Sequence, residues 1–184
     1  RPLTEKITKT LIEINGTPFI DYQIKYLKKQ GITNIVLCTG FLGDQIFDFV
    51  GDGSRYGLQI TYSNDGKKLL GTGGAIKNAT SYLNDIFFIL YGDSFLPIDY
   101  LSIYKKFKQR NFSALMTILE NKNEWDQSNI IFDGKEIILY DKKNYSDQMN
   151  YIDYGLSILN RKLFTEIPYN NFDLAEIFTS LSKK

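Results

Sequence analysis

The apolar positions of this chain fall in short runs that switch between two periods. Ile86 to Leu90 is continuously apolar and then breaks off in Tyr91-Gly92-Asp93. A run that short, without alternation, reads as a strand covered on both faces. Asn34 to Thr39 has the same character, Leu58 to Tyr62 alternates, and Ser113 to Leu119 and Ile152 to Leu159 are further strand patterns. Between them the period becomes helical. Ile20, Ile24 and Leu27 line one face of a helix expected to open with Thr17 as N-cap and Pro18 at its first position, and to stop at Gly31. A short helix is expected around Gln45 to Val50, and another from the Gly71 to Gly74 stretch to near Leu83. Leu101, Tyr104 and Phe107 give Ile98 to Arg110 an apolar face opposite its lysines. Ile130 to Phe132 and Glu136 to Tyr140 flank Asp133-Gly134, a strong hairpin signal. Asp173 and Glu176 open a last helix with capping-box spacing, and Leu174, Ile177, Phe178 and Leu181 form its inner face. Residues 1 to 10 have neither period and read as loop. Strands alternating with helices predict one α/β domain of Rossmann-like type: a mixed, mainly parallel sheet with helices on both faces.

Composition narrows the chemistry. With 184 residues, 43% of them apolar, the chain suits a single domain with a full core. No apolar run approaches the ~20 residues that span a bilayer, so no membrane partner is expected. A net charge of +1 gives no electrostatic case for nucleic acid. Cys38 is the lone cysteine, which rules out an internal disulfide and a cysteine-rich metal site and fits a reducing cytoplasm. The chain has no histidine, which removes serine-histidine triads, cysteine-histidine pairs and histidine zinc sites. Catalysis would rest on carboxylates, lysines, backbone amides and a bound metal.

Open parallel sheets hold ligands just past the carboxyl ends of their strands, and Asp93 stands at such an end. Beside phosphates its carboxylate suits Mg²⁺; otherwise it caps a turn. Gly92 has no Cβ and lets backbone or ligand come close. Gly71, Thr72, Gly73 and Gly74 lead into a helix. Amides there either bind an anion or the polar edge of a base, or the glycines serve tight helix packing. The pattern is neither a P-loop nor a G-x-G-x-x-G fingerprint. Lys9 lies in an irregular loop. Asp141-Lys142-Lys143 reads as a solvated turn unless a ligand meets it. Asp153-Tyr154-Gly155 interrupts an apolar strand, a local cost that suggests a strand passing a ligand or an exposed edge.

Taken together these residues resemble the sugar-phosphate nucleotidylyltransferases. The start R-P-L-T-x-x-x-x-K, Arg1 to Lys9, then L-I-E-I-N-G-T-P-F-I-D-Y, the loop L-G-T-G-G-A-I of Leu70 to Ile76, and Y-G-D of Tyr91 to Asp93 follow the family's order over nearly the whole chain. The run Tyr151 to Leu159 is similar to the heptose 1-phosphate guanylyltransferase branch. The resemblance implies an Mg²⁺-dependent enzyme of NDP-sugar and polysaccharide biosynthesis. It would join a nucleoside triphosphate to a sugar 1-phosphate and release pyrophosphate. It implies that Lys9 contacts phosphates, that Gly71, Thr72, Gly73 and Gly74 read the base, and that Asp93 binds the metal. Lys142 would hold the acceptor's phosphate, and Asp153 and Gly155 its sugar.

The sequence departs from the family pattern in several places. Thr10 stands in place of a proline, Asp141 and Lys143 replace the glutamate and proline around Lys142, and Asp153 replaces an asparagine. The family's glycine-rich opening loop, with its strand and catalytic arginine, is not in the sequence, nor is its final acidic motif. The domain is therefore expected to be truncated at both ends. These 184 residues alone are expected to fold poorly, because strands neighbouring an absent one expose unpaired amides; a cooperative melt would count against that. Two other functions fit the same fold: a cytidylyltransferase acting on a non-sugar phosphomonoester, and a non-catalytic nucleotide-sensing or subunit domain. A glycosyltransferase is disfavoured because D-S-F lacks the second carboxylate of a D-x-D pair. The base, the acceptor and the oligomeric state are not written in the pattern, and a homo-oligomer is left open.

Overall fold

The computed structural model describes residues 6–110 and 112–183; the expectations placed on Arg1 to Glu5 lie outside them. The elements run β1 (Glu13–Ile14), β2 (Thr17–Pro18), α1 (Phe19–Lys29), β3 (Asn34–Thr39), α2 (Gly43–Val50), β4 (Gln59–Asn64), α3 (Gly71–Ala79), β5 (Ile86–Leu90), α4 (Tyr100–Gln109), β6 (Ala114–Glu120), β7 (Ile130–Phe132), β8 (Ile137–Tyr140), β9 (Tyr151–Asn160) and α5 (Ala175–Ser182).

The first helix begins later than expected. Asn15 and Gly16 take φ of +52° and +76°, the conformation of a two-residue hairpin turn. Thr17 and Pro18 therefore pair back onto Ile14 and Glu13, and α1 starts at Phe19 without a side-chain cap. Asn15-Gly16 was the legible signal. The helix α4 also differs. Asp99 caps it by accepting from the Ser102 amide at 3.1 Å, so Tyr100 takes the buried position at 1% exposure while Leu101 is 55% exposed. The hairpin β7–β8 forms around Gly134, and the Asp133 carboxylate accepts from the Lys135 and Glu136 amides, each at 2.8 Å.

The mixed α/β class holds, with parallel pairing confined among the described residues to β3 and β4, from Asn34 beside Gln59 to Thr39 beside Asn64. The larger sheet is antiparallel and built on β9. One edge of β9 carries β6, from Ala114 opposite Leu159 to Glu120 opposite Tyr151, with a bulge between Met116 and Ile118. Its other edge is shared. β5 takes Leu156 to Asn160, and β7 takes Tyr151. Gly155 marks the break, at φ +98°, where a Cβ would stand 2.7 Å from the Ser94 Oγ.

The continuous apolar run of β5 is explained by cover on both faces. Phe87 and Ile89 pack with Leu159, Phe164 and the α5 core, while Phe88 and Leu90 pack with Leu96, Tyr100 and Leu156. In the plane of the sheet the situation differs. Among the described residues β3 and β5 do not pair, and together they line a cavity of about 570 Å³ with Ile24 and Ile76. Hydrogen exchange should therefore split β5 into alternating classes. Amides bonded to β9 should be protected, and those turned to the cavity should exchange roughly tenfold faster or more. Uniform protection along β5 would mean that a partner closes the cavity in solution.

Candidate functional site

The end of β5 is fixed from two sides. Gln23 on α1, itself buried, donates from Nε2 to the Tyr91 carbonyl at 3.1 Å and to the Ser94 carbonyl at 2.7 Å. On the other side Thr10 lies against Gly92, where a Cβ would sit 3.1 Å from the Thr10 Cγ2. The segment before it is fastened to α2. The Thr8 amide donates to the Gln45 Oε1 at 3.2 Å, and the Gln45 Nε2 donates to the Lys6 carbonyl at 2.9 Å. Lys9, in a 3₁₀ turn of Lys9–Leu11, is thus held on a short tether beside the strand end that carries Asp93. Both side chains are exposed.

The glycine stretch divides into two parts. The amides of Gly73 and Gly74 donate to the Phe172 carbonyl at 3.0 and 3.2 Å, and both residues are buried. A Cβ at Gly73 would lie 2.3 Å from the Phe172 ring, and one at Gly74 would lie 2.2 Å from the Asn170 carbonyl oxygen. Close packing of the 170–174 segment accounts for these two glycines, and their amides are not offered to a ligand. Gly71, at φ +74°, and Thr72 are the exposed members. The Thr72 hydroxyl accepts from the Leu174 amide at 2.9 Å and lies 3.3 Å from the Asp173 Oδ1. Only the backbone amides of Gly71 and Thr72 lack a partner among the described residues. Thr72, Thr10, Tyr91 and Gly92 line one end of the large cavity, so the glycine turn, the Lys9 loop and the strand end meet there.

A second, polar pocket of about 210 Å³ opens where β5 and β7 part from β9. Its walls include Tyr91, Ser94, Asn129, Lys142, Asp153 and Gly155. The Asp153 Oδ1 accepts from the Gly155 amide at 2.8 Å, and the Tyr91 hydroxyl reaches the Oδ2 at 3.5 Å. Burial raises the Asp153 carboxyl above its ordinary range, while the Gly155 amide, Lys142 and Tyr91 oppose that shift. Burial, then the charges of Asp153 and Asp173, push the Tyr91 hydroxyl far up, so it stays a protonated donor. Lys142 is exposed, and its Nζ lies 5.9 Å from the centre of the Tyr140 ring. The Asp141 carboxylate is held low by Asn144 and by the Lys143 amide, to which it hydrogen-bonds at 2.8 Å. That turn sets the backbone from which Lys142 projects. Tyr91 lines both cavities, so the crevice and the pocket adjoin at the strand end before Asp93. Sequence reasoning gave no role to Tyr91, Gln23, Ser94 or Asn129; of these, Tyr91 and Ser94 stood inside stretches already singled out.

For a metal, the structure offers Asp93 as a single carboxylate. Among the described residues no group of three metal-ligating side chains forms. One exposed, hard oxygen ligand fits Mg²⁺, which keeps water and substrate phosphates in its shell and needs only one or two carboxylates. It does not fit a metal held by protein alone.

The site is thus an α/β sheet with a crevice at its strand ends and an adjoining polar pocket, and comparison with known proteins gives the family. The structure superposes on HddC from Yersinia pseudotuberculosis complexed with GMP-PN, with a TM-score of 0.74 and 26% identity, over 92% of this chain and 74% of that one. The chain belongs to the Nucleotidyl transferase family, whose model matches residues 1–176. It is 28% identical over 180 residues to D-glycero-alpha-D-manno-heptose 1-phosphate guanylyltransferase of Campylobacter jejuni, covering 97% of this chain and 76% of that protein. It is 36% identical over 124 residues to N-acetylmuramate alpha-1-phosphate uridylyltransferase of Neisseria meningitidis, covering 66% of this chain and 54% of that protein.

The raised Asp153 carboxyl fixes a pH dependence. The folded chain holds that proton more tightly than the unfolded one, so the group costs stability as pH rises through and above the ordinary carboxylate range. Asp153→Asn keeps an acceptor for the Gly155 amide without the charge. It should raise the thermal midpoint at pH 7, and the gain should fade as pH approaches about 4. A gain that persists unchanged in acid would locate the effect elsewhere.

Proposed function

We propose that this chain catalyses nucleotidyl transfer, in which the phosphate of a sugar 1-phosphate attacks the α-phosphorus of a nucleoside triphosphate and pyrophosphate leaves. The observation that carries the reading is the meeting of two cavities at Tyr91, one beside the glycine turn and the Lys9 loop, the other walled by Lys142 and Asp153. A nucleotide at the Thr10, Thr72 and Gly92 end of the first and a phosphomonoester in the second bring their phosphates to the strand end that carries Asp93. The family membership supports the reaction type. The heptose 1-phosphate relative supports a heptose- or hexose-type acceptor.

The chemistry suits a chain without histidine. The attacking phosphate is already ionised at neutral pH, so no general base is needed. Alignment and charge neutralisation remain to be supplied. Lys9 contributes positive charge to the triphosphate and Lys142 to the acceptor's phosphate. The amides of Gly71 and Thr72 face the polar edge of the base. Gly155 keeps the backbone of β9 low beside the sugar. Asp93 is the residue that would hold Mg²⁺, which, when bound, supplies charge neutralisation on phosphate oxygens and a template for alignment.

The test uses the full-length protein with Mg²⁺. Pyrophosphate release is followed for the common nucleoside triphosphates against a panel of phosphomonoesters, phosphocholine included. Release that requires one triphosphate and one sugar 1-phosphate is the expected result. Release with phosphocholine alone would give the cytidylyltransferase reading, and nucleotide binding without release would give the sensing-domain reading. Asp93→Asn should lower kcat roughly a hundredfold or more. Asp93 is exposed, so the melting midpoint should stay within a few degrees. Near-normal turnover would remove Asp93 from the metal role.

A further inference from the structure

Lys77 lies on α3, within the helix that the glycine turn opens, and lines neither cavity. Its ammonium is nonetheless fully committed. Nζ donates to the Ile167 carbonyl at 2.6 Å, to the Tyr169 carbonyl at 3.0 Å and to the Asn170 Oδ1 at 2.8 Å. An ammonium has three N–H donors, so none is left for a ligand. Among the described residues it forms no ion pair with a carboxylate. A half-buried cation held by neutral oxygens loses hydration without gaining a counter-charge. What the arrangement supplies is geometry. Charge-assisted bonds converge on one atom and pin the 167–170 backbone to α3.

The pinned segment continues into a strap that shapes the glycine turn. The Phe172 carbonyl accepts from the Gly73 and Gly74 amides, and the Phe172 amide donates to the Leu70 carbonyl at 3.0 Å. The Asn171 Nδ2 donates to the Leu69 carbonyl at 3.0 Å, and the Leu174 amide donates to the Thr72 hydroxyl at 2.9 Å. A Cβ at Gly71, Gly73 or Gly74 would strike Phe172 or Asn170, so turn and strap meet with no slack. Their fit decides which amides of the turn are consumed internally. It leaves those of Gly71 and Thr72 open, with Thr72 at the end of the larger cavity.

We propose that Lys77 is a positioning residue for nucleotide discrimination. Through the 167–174 strap it sets the direction of the Gly71 and Thr72 amides, and without touching the nucleotide it governs how strictly one base is preferred over another. The proposal rests on the nucleotidyl-transfer reading, which gives those two amides to the base. Hydrogen bonds discriminate only when their donors are firmly placed, because bond strength falls steeply with misalignment and a loose donor also adapts to the wrong partner.

The experiment compares the full-length protein with two variants. Lys77→Met keeps the side chain's reach without its donors, and Asn170→Ala removes one of the acceptors from an exposed residue. The readout is the ratio of kcat/KM for the preferred triphosphate to that for the next best, at saturating acceptor. Lys77→Met should lower that ratio about tenfold, with the acceptor KM unchanged. Asn170→Ala should lower it by about threefold, and the double variant should lose no more than Lys77→Met alone. A purely structural role would instead lower the melting midpoint and reduce kcat/KM for every triphosphate alike. An unchanged ratio in Lys77→Met, or a wild type with no preference to lose, overturns the proposal. If Lys77→Met does not fold, Asn170→Ala decides: a lowered ratio upholds the role and an unchanged one removes it. No pyrophosphate from any pair would overturn the parent reading. Nucleotide binding by calorimetry then decides for Lys77. A base preference lost in Lys77→Met upholds its role; a preference retained, or no nucleotide bound by the wild type, removes it.

Discussion

The structure depends on one edge of β9 having to serve two strands. β6 occupies the opposite edge of β9 along nearly its whole length, bulging once. The remaining edge is divided between β5 and β7. Between their pairings, Ile152 to Tyr154 have no ladder partner on that edge among the described residues, and the chain turns at Gly155 with φ +98°. An L side chain at that angle is strained, and here it would also strike Ser94. The break has a chemical consequence. An unpaired stretch of a central strand must find other polar partners, and Asp153 bends its own carboxylate back to the Gly155 amide. The pocket that carries Lys142 and Asn129 is the opening which the divided edge leaves.

The larger crevice has a related origin. β3 with β4 forms one short parallel sheet, and β5 belongs to another. α1 and α3 span the gap through Ile24 and Ile76, both of which line the cavity. Among the described residues no hydrogen-bonded ladder joins the Thr39 and Gly92 ends, where the candidate site lies. Gln23 matters for that reason. By bonding two carbonyls of the 91–94 turn, it references the end of β5 to α1, the helix that also covers β3 on the cavity side.

What could be read from the sequence was what local chemistry dictates. The apolar run of β5, the Asp133-Gly134 turn and the Asp173–Glu176 helix start all appear where their residues place them, with the Asp173 carboxylate accepting from the Ala175 amide at 2.8 Å. The extent of antiparallel pairing was not legible. It depends on which strands β9 meets, and those contacts join residues far apart in the chain. The double nature of the glycine stretch was illegible for the same reason. Gly73 and Gly74 are small because Phe172 and Asn170, about a hundred positions later, press on them, and Gly71 combines its own backbone angle of φ +74° with a Phe172 carbonyl oxygen that would stand 2.5 Å from a Cβ. The candidate site was legible in its charged members, Lys9, Asp93, Lys142 and Asp153. The neutral groups that orient them, Gln23, Tyr91 and Asn129, carry no pattern of their own.

The distribution of charge around Tyr91 separates two tasks that the proposed reaction sets against each other. Phosphates need cations, yet the pocket beside them contains carboxylates, which repel phosphate. The structure places Lys9 and Lys142 at exposed positions and turns the Asp153 carboxylate inward, against the Gly155 amide and the Tyr91 hydroxyl. Burial already makes ionisation of Asp153 unfavourable, and the approach of a phosphate dianion makes it more so. Held by the Gly155 amide and the Tyr91 hydroxyl, that carboxyl is placed for hydrogen bonding rather than for holding a cation. Under the proposed reaction Asp93, exposed and outside this set of bonds, is the carboxylate that would serve the phosphates.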